Sequence, residues 1–72
     1  MNMINVYEFE LDGSKFYTEF NLGGWDLIRY VAYKLNISIR CKCIRRKENN
    51  IYVIKTKEEV DDLINNFVKV GE

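Results

Sequence analysis

The dipeptide Asp12-Gly13 separates two runs in which polar and apolar residues alternate. A two-residue loop of type I′ requires positive φ at both central positions, and Asp-Gly is among the pairs that supply it. The register that this loop imposes places Phe9 opposite Phe16 on one face. It places Glu10 opposite Lys15 on the other face, as a cross-strand charge pair. The sequence therefore predicts an N-terminal hairpin with one aromatic face and one charged face.

Two amphipathic helices are predicted from apolar residues at helical spacing. The first lies within residues 21–36, and Asn36 suits its end. Its apolar stripe consists of Ile28, Val31, Ala32 and Leu35. The second begins with a capping box formed by Thr56 and Glu59. Its apolar stripe consists of Val60, Leu63, Ile64, Phe67 and Val68.

Two further strands, residues 37–47 and 51–56, are predicted between the helices, with a turn at "KENN". We expect them to form a second hairpin, although neither placement of its loop satisfies both alternations, so its register stays open. The element order is ββαββα. It predicts one α+β domain over residues 1–72, a four-stranded, mainly antiparallel sheet with both helices packed on one face. The other sheet face must then be polar or bind something.

The net charge is zero, but the charges are segregated along the chain. Residues 1–26 and 58–72 each carry a net charge of −4, and residues 27–57 carry +8. No apolar run approaches the length of a membrane span, and no basic-then-apolar leader is present. We therefore expect a cytoplasmic protein in a reducing compartment that does not bind membranes.

The cysteines Cys41 and Cys43 are two residues apart on a predicted strand, so both project from the same face. Residues at that spacing lie about 6.5–7 Å apart, which is too far for an ordinary disulfide. The chain has no histidine, so a metal site would need a second copy of the protein to complete four ligands. We interpret both cysteines, with Ile37 and Ile39, as apolar residues that face the core. No metal or other cofactor is expected.

The same strand and the turn after it carry a cluster of basic residues, and Tyr52 follows nearby. A basic strand on an open sheet can bind phosphates, and a tyrosine can stack on a base. A solvated face is the preferred interpretation of this cluster, and a nucleic-acid or anion site and an acidic protein partner are the alternatives. The residues of a nucleic-acid site, as the alternative function, would be Arg40, Lys42, Arg45, Arg46, Lys47 and Tyr52.

Aromatic residues predict a protein interface on the first helix. Tyr30 and Tyr33 fall opposite the apolar stripe, with Leu27 and Arg29 beside them, and Tyr17 lies on the outer face of the first hairpin. Tyr and Arg are favoured at the centres of interfaces. The predicted protein-interface residues are therefore Leu27, Arg29, Tyr30, Tyr33 and Tyr17.

No catalytic set is found in the sequence. Glu8, Glu10 and Glu19 share a flat outer face with no sign of a pocket, which does not favour acid–base catalysis. The expected function is a small non-enzymatic protein-binding module, an inhibitor or adaptor that forms a homodimer and binds an unknown protein. Residues with A/T-rich codons make up much of the chain, and this composition resembles that of small accessory proteins of bacteria and phages. Binding of nucleic acid is the second hypothesis.

Overall fold

The chain folds into a four-stranded sheet with two helices on one of its faces, and the computed structural model describes residues 2–71, with the side chains of residues 2–66. The strands are β1 (Met3–Leu11), β2 (Ser14–Glu19), β3 (Cys41–Lys47) and β4 (Val53–Ile54). The helices are α1 (Gly24–Leu35) and α2 (Lys57–Gly71), and a short 3-10 turn spans Glu48–Asn50. The predicted fold class is confirmed.

The first hairpin has the predicted register. Phe9 pairs with Phe16, and Glu10 pairs with Lys15. Asp12 and Gly13 have φ of 52° and 83°, as a type I′ loop requires. Local turn chemistry and two agreeing alternations are sufficient to determine this pairing.

The second hairpin does not form. The strand order is β3-β1-β2-β4, so β3 and β4 are at opposite edges. β3 pairs antiparallel with β1, and β4 pairs parallel with β2. After β3 the Glu48 amide donates to the Asn2 carbonyl at 3.0 Å, and the chain then crosses the end of the sheet to reach β4. The prediction of a second hairpin was wrong. β3 pairs instead with β1, at seven positions from Phe9↔Cys41 to Met3↔Lys47.

The core lies between the sheet and the two helices. Its buried apolar side chains are Phe9, Leu11, Leu27, Ile28, Val31, Ile54 and Val60. Leu35, Leu63 and Ile64 of the predicted stripes pack against this cluster, and Ala32 is half-buried. The side chains of Phe67 and Val68, also predicted in the second stripe, lie outside the described residues.

The start of α1 is held very close to β2. A Cβ at Gly24 would collide with the Glu19 carbonyl and lie 2.8 Å from Thr18 Oγ1. The buried Thr18 hydroxyl donates to the Gly24 carbonyl at 3.0 Å. Only glycine permits this approach. It fixes where α1 begins over the sheet, and therefore how much of the sheet the helix leaves uncovered.

Both helix ends that were predicted from capping residues are confirmed. Asn36 ends α1 with φ of 55°, a left-handed conformation that asparagine tolerates. At α2 the Glu59 amide donates to Thr56 Oγ1 at 3.2 Å. Glu59 Oε1 in turn accepts from the Thr56 hydroxyl and from the Lys55 amide.

The third strand is shorter than predicted, because residues 37–40 have no strand structure and β3 begins at Cys41. Ile39 and Cys41 pack against the core as expected. Ile37 is 46% exposed and Cys43 is exposed, so their predicted core positions were wrong. Cys43 lies on the edge strand β3, opposite the half-buried Tyr7.

Candidate functional site

Three aromatic rings, Tyr7, Phe20 and Trp25, form an exposed group that we call the aromatic cluster. The Tyr7 ring centroid lies 5.1 Å from that of Phe20 and 5.9 Å from that of Trp25. Trp25 is 50% exposed and Phe20 is 38% exposed. Tilted rings at these separations attract one another, so the cluster holds its shape while presenting apolar surface to solvent.

The cluster arises from the position of α1. Tyr7 has the same strand parity as Phe9 and projects toward the helices, but Tyr7 is only half-buried whereas Phe9 is fully buried. Trp25, in the first turn of α1, reaches back over Tyr7. Met3, further along the same face, is 45% exposed. Met3 and the aromatic cluster therefore give this end of β1 a largely apolar surface on the helix side.

Sequence reasoning missed this cluster. The hairpin register does carry part of the signal, because its continuation places Asn5 opposite Phe20, next to Tyr7. The Phe20 amide donates to the Asn5 carbonyl at 3.3 Å, which confirms this continuation. Trp25 has no such signal, since its approach to Tyr7 depends on the contact of Gly24 with β2.

Basic side chains border the cluster on the β3 side. In the β1–β3 register, Cys43 is opposite Tyr7, Arg45 opposite Asn5 and Lys47 opposite Met3. All three β3 residues are exposed. Among the side chains of residues 2–66, Arg45 and Lys47 make no ion pair. The aromatic cluster thus has a cationic rim along the edge strand.

The predicted interface on α1 is only partly on the surface. Leu27 is 8% exposed and belongs to the core, so its predicted exposed position was wrong. The Tyr30 hydroxyl donates to Asp61 Oδ1 at 2.7 Å. This bond raises the pKa of Tyr30, with burial and nearby charge contributing further. α2 therefore contacts Tyr30, which was expected to lie on an open face of α1.

The other predicted interface residues do not join the aromatic cluster. Tyr33 is 80% exposed and Arg29 is exposed, both on α1. Tyr17 is half-buried on the outer face, which is the sheet face opposite the helices, where it pairs with Glu8 and Val53. The five predicted residues are therefore divided among the core, the interhelical contact, the α1 surface and the outer face.

Two of the predicted nucleic-acid residues on the outer face are engaged with Glu8. Lys42 Nζ lies 3.4 Å from Glu8 Oε1, and Arg46 Nη2 lies 3.5 Å from Glu8 Oε2. The Glu8 side chain is only 4% exposed. Burial acts to raise the pKa of Glu8, but the positive charge of Lys15 and hydrogen bonds from Lys42 and Tyr17 outweigh it, so the pKa is lowered.

The remaining residues of the nucleic-acid prediction are dispersed. Arg40 precedes β3, and Arg45 and Lys47 are on the helix side of that strand. Tyr52 leads into β4 at the opposite edge of the sheet, where its hydroxyl donates to Glu59. The structure therefore does not bring these six residues together as one phosphate-binding surface.

Two open clefts share Tyr52 and Glu59 as walls. The larger, about 740 Å³, lies between the residues after β2 and the crossing segment before β4. The smaller, about 420 Å³, lies beside Phe16, Tyr17 and Leu63. Glu59 caps α2, and Lys55 lies 3.7 Å from Glu19. Glu59, which lines both clefts, and Glu19 and Lys55, which line the larger one, are thus already engaged in contacts within the fold.

The two thiols differ in their surroundings. Burial raises the pKa of the half-buried Cys41, and the neighbouring Cys43 adds to this effect. Within the part of the chain that the structure describes, no group of three or more potential ligands is placed to hold a metal ion.

Scans against protein-family models, curated proteins and solved structures each found no match. In residues 2–71, neither helix is long and apolar enough to cross a membrane.

Proposed function

We propose that this protein is a non-enzymatic protein-binding module, and that it binds an acidic protein segment on the aromatic cluster. One observation carries the proposal. Tyr7, Phe20 and Trp25 form a half-exposed apolar surface beside two cations, Arg45 and Lys47, that have no ion-pair partner among the described side chains.

This composition is that of an interface centre. Trp, Tyr and Arg carry much of the binding free energy in protein complexes, and aromatic side chains are enriched where interfaces are buried. The cationic rim favours a partner with Asp or Glu beside its apolar anchor, because complementary charge increases the association rate and rejects basic partners. Both cysteines are free thiols, which supports a reducing, cytoplasmic location.

Nucleic acid is the weaker proposal. Glu8 already pairs with Lys42 and Arg46, and of the basic side chains that the structure describes we place two, Arg45 and Lys47, beside the aromatic cluster to offer phosphates. Few phosphate contacts give weak binding that depends little on salt.

The test is selection from a displayed library of random linear peptides on the immobilised protein. We expect the selected peptides to be enriched in apolar and acidic residues. Their affinity for the Trp25→Ala variant should fall about tenfold or more, as for other residues at interface centres.

Tyr33→Ala is the matched control, because Tyr33 is an exposed aromatic residue of the same helix outside the cluster. Peptides that bind the Trp25→Ala variant as tightly as the wild type, or a selection that enriches no sequence, would show the proposal to be wrong. Light scattering on the free protein tests the competing occupant. A dimer that Trp25→Ala converts to a monomer would make the cluster a contact between two copies.

A further inference from the structure

In the sheet formed by residues 2–71, no strand pairs with the outer edge of β3, and the first hairpin determines which backbone groups of β3 face that edge. In a two-residue loop, the flanking pair Leu11↔Ser14 is hydrogen-bonded in both directions. Alternation along β1 then points the backbone groups of odd-numbered residues to β2 and those of even-numbered residues to β3. The Phe20–Asn5 bond and the Glu48–Asn2 bond follow this parity.

The same parity applies to β3 itself. Its even-numbered residues, which pair with Glu8, Val6 and Ile4, direct their amides and carbonyls to β1. Its odd-numbered residues direct theirs away from the sheet, and β3 is an edge strand. The outward-facing backbone groups belong to Cys41, Cys43, Arg45 and Lys47.

The side chains of those residues lie on the helix side, which is the side of the aromatic cluster. Cys43 is small and exposed and lies directly between the open edge and Tyr7. A large apolar side chain on a strand added outside β3 would pass over Cys43 to contact the rings of Tyr7 and Trp25. Side chains of the added strand with the opposite parity would meet Lys42 and Arg46.

We propose that the partner binds by adding an extended, acidic strand to the open edge of β3. This inference rests on the proposed function and specifies how the partner docks. Main-chain hydrogen bonds give such complexes their affinity, and alternate side chains give their specificity. The partner segment carries a large apolar residue opposite Cys43 and an acidic residue opposite Arg45, which has no ion-pair partner among the described side chains, over a length close to the seven residues of β3.

A second copy of this chain is a poor occupant of that edge. Antiparallel pairing of β3 with itself over its full length, centred on Ile44, places Lys42 opposite Arg46 and Arg45 opposite Cys43. Like charges directly opposite one another destabilise a strand pair. Basic side chains on an edge strand resist self-pairing but attract a carboxylate-bearing strand.

The probe is a capped peptide of sequence EEEFEVE, measured against the purified protein; with its Phe opposite Cys43 in an antiparallel complex, its second Glu lies opposite Arg45. Only alternate amides of an added strand bond to β3. N-methylation of the Val and Phe residues should therefore weaken an antiparallel complex by about tenfold or more, while N-methylation of the two Glu residues that flank Phe leaves affinity within about twofold. A parallel strand would reverse the two results, which still supports strand addition.

Equal effects of the two methylation patterns, or no binding of the unmodified peptide, would overturn the inference. On the protein side, Cys43→Pro removes one outward amide without removing a bond to β1, and it should weaken binding by about tenfold or more. Cys43→Ala, which keeps the amide, should leave binding within about twofold. Circular dichroism establishes that Cys43→Pro is folded, and if it is not, the methylated peptides decide alone.

Failure here is separable from failure of the proposed function. Library peptides that depend on Trp25 but are insensitive to Cys43→Pro and to the methylation pattern would refute strand addition and leave the protein-binding proposal standing. If Trp25→Ala has no effect on any peptide, the proposed function itself is wrong.

Discussion

Glu8 is an acidic side chain on the outer face of the sheet, away from both helices, and yet it is almost completely buried. β1 is an inner strand, so its outer-face residues are flanked on both sides. Long side chains from the neighbouring strands, Lys42 and Arg46 on one side and Tyr17 on the other, lie over it. Their apolar stems exclude water while their polar ends reach the carboxylate.

The charge of Glu8 should therefore stabilise the fold. We expect Glu8→Gln to lower the free energy of unfolding by about 1–3 kcal/mol at neutral pH, as for a buried, charged hydrogen-bonding group. Lys42 is 69% exposed, and its return to water keeps the loss below that of a fully buried pair. Urea denaturation of the two proteins measures the difference.

The pH dependence of this difference has a definite sign. The pKa of Glu8 in the folded state is below its ordinary value of 4.5. Its contribution is complete above that ordinary value and is lost as the pH falls through the lowered, folded-state pKa. The two proteins should therefore converge in stability in acid. Glu10→Gln is the matched control on the same strand face, with an expected change within about 0.5 kcal/mol at neutral pH. A difference that is constant across the pH range would contradict the ionic explanation.

At the scale of elements, sequence reasoning succeeded where the determinants are local. The Asp12-Gly13 loop fixes the first hairpin, and Thr56 with Glu59 fixes the start of α2. Each depends on residues a few positions apart, so each has a signature in a single sequence.

The position of β4 has no such signature. It consists of Val53 and Ile54 only, and it pairs in parallel with β2, at Tyr17 and Thr18. Parallel pairing depends on a crossover that neither strand encodes locally. In the expected second hairpin, neither placement of the loop satisfies the alternation of both strands. This conflict already indicates that the two strands do not pair with each other.

The contact between the helices is a second element-scale feature that the helical periodicity of α1 could not reveal. The ring of Tyr30 has Lys34 Nζ at 5.6 Å and Lys57 Nζ at 5.3 Å from its centroid, and its hydroxyl bonds to Asp61. Tyr30, which was predicted to be an interface residue, instead connects α1 to α2.

The hydrogen bond between Tyr30 and Asp61 can be tested by titration of the Tyr30 phenol, followed by NMR. The hydrogen bond to Asp61 raises the pKa of Tyr30 above its ordinary value of 10.0, and Asp61→Asn should bring it down. Because the folded-state pKa is the higher one, stability should decrease as the pH rises past the ordinary value, and less so in Asp61→Asn. Asp62→Asn, at an exposed neighbouring position, should leave the Tyr30 titration unchanged. If Asp61→Asn has no effect on the Tyr30 titration either, the hydrogen bond between Tyr30 and Asp61 is not formed in solution.

At the scale of the whole molecule, folding redistributes the charges that are segregated along the chain. The acidic first hairpin is placed against the basic β3, where Glu8 bridges two strands, and Glu19 meets Lys55. The net charge of +8 in residues 27–57 is therefore not the charge of any one surface.

The candidate site joins residues from β1, the end of β2, α1 and β3. This explains why the sequence predicted its individual faces but not the cluster.

This redistribution predicts a weak and shallow response to nucleic acid. Each phosphate contact contributes about 0.9 to the slope of log affinity against log salt for duplex DNA. Arg45 and Lys47, which remain unpaired among the described side chains, would give a slope of about 2. Fluorescence anisotropy of labelled duplex DNA and single-stranded RNA between about 50 and 200 mM salt measures this slope.

The double variant Arg45→Gln/Lys47→Gln should remove the remaining binding, and Arg29→Gln, on the exposed surface of α1, should not. A slope of about 4 or more that Lys42→Gln reduces would mean that phosphates displace Glu8 from its cations, and nucleic acid would then replace an acidic protein as the preferred partner.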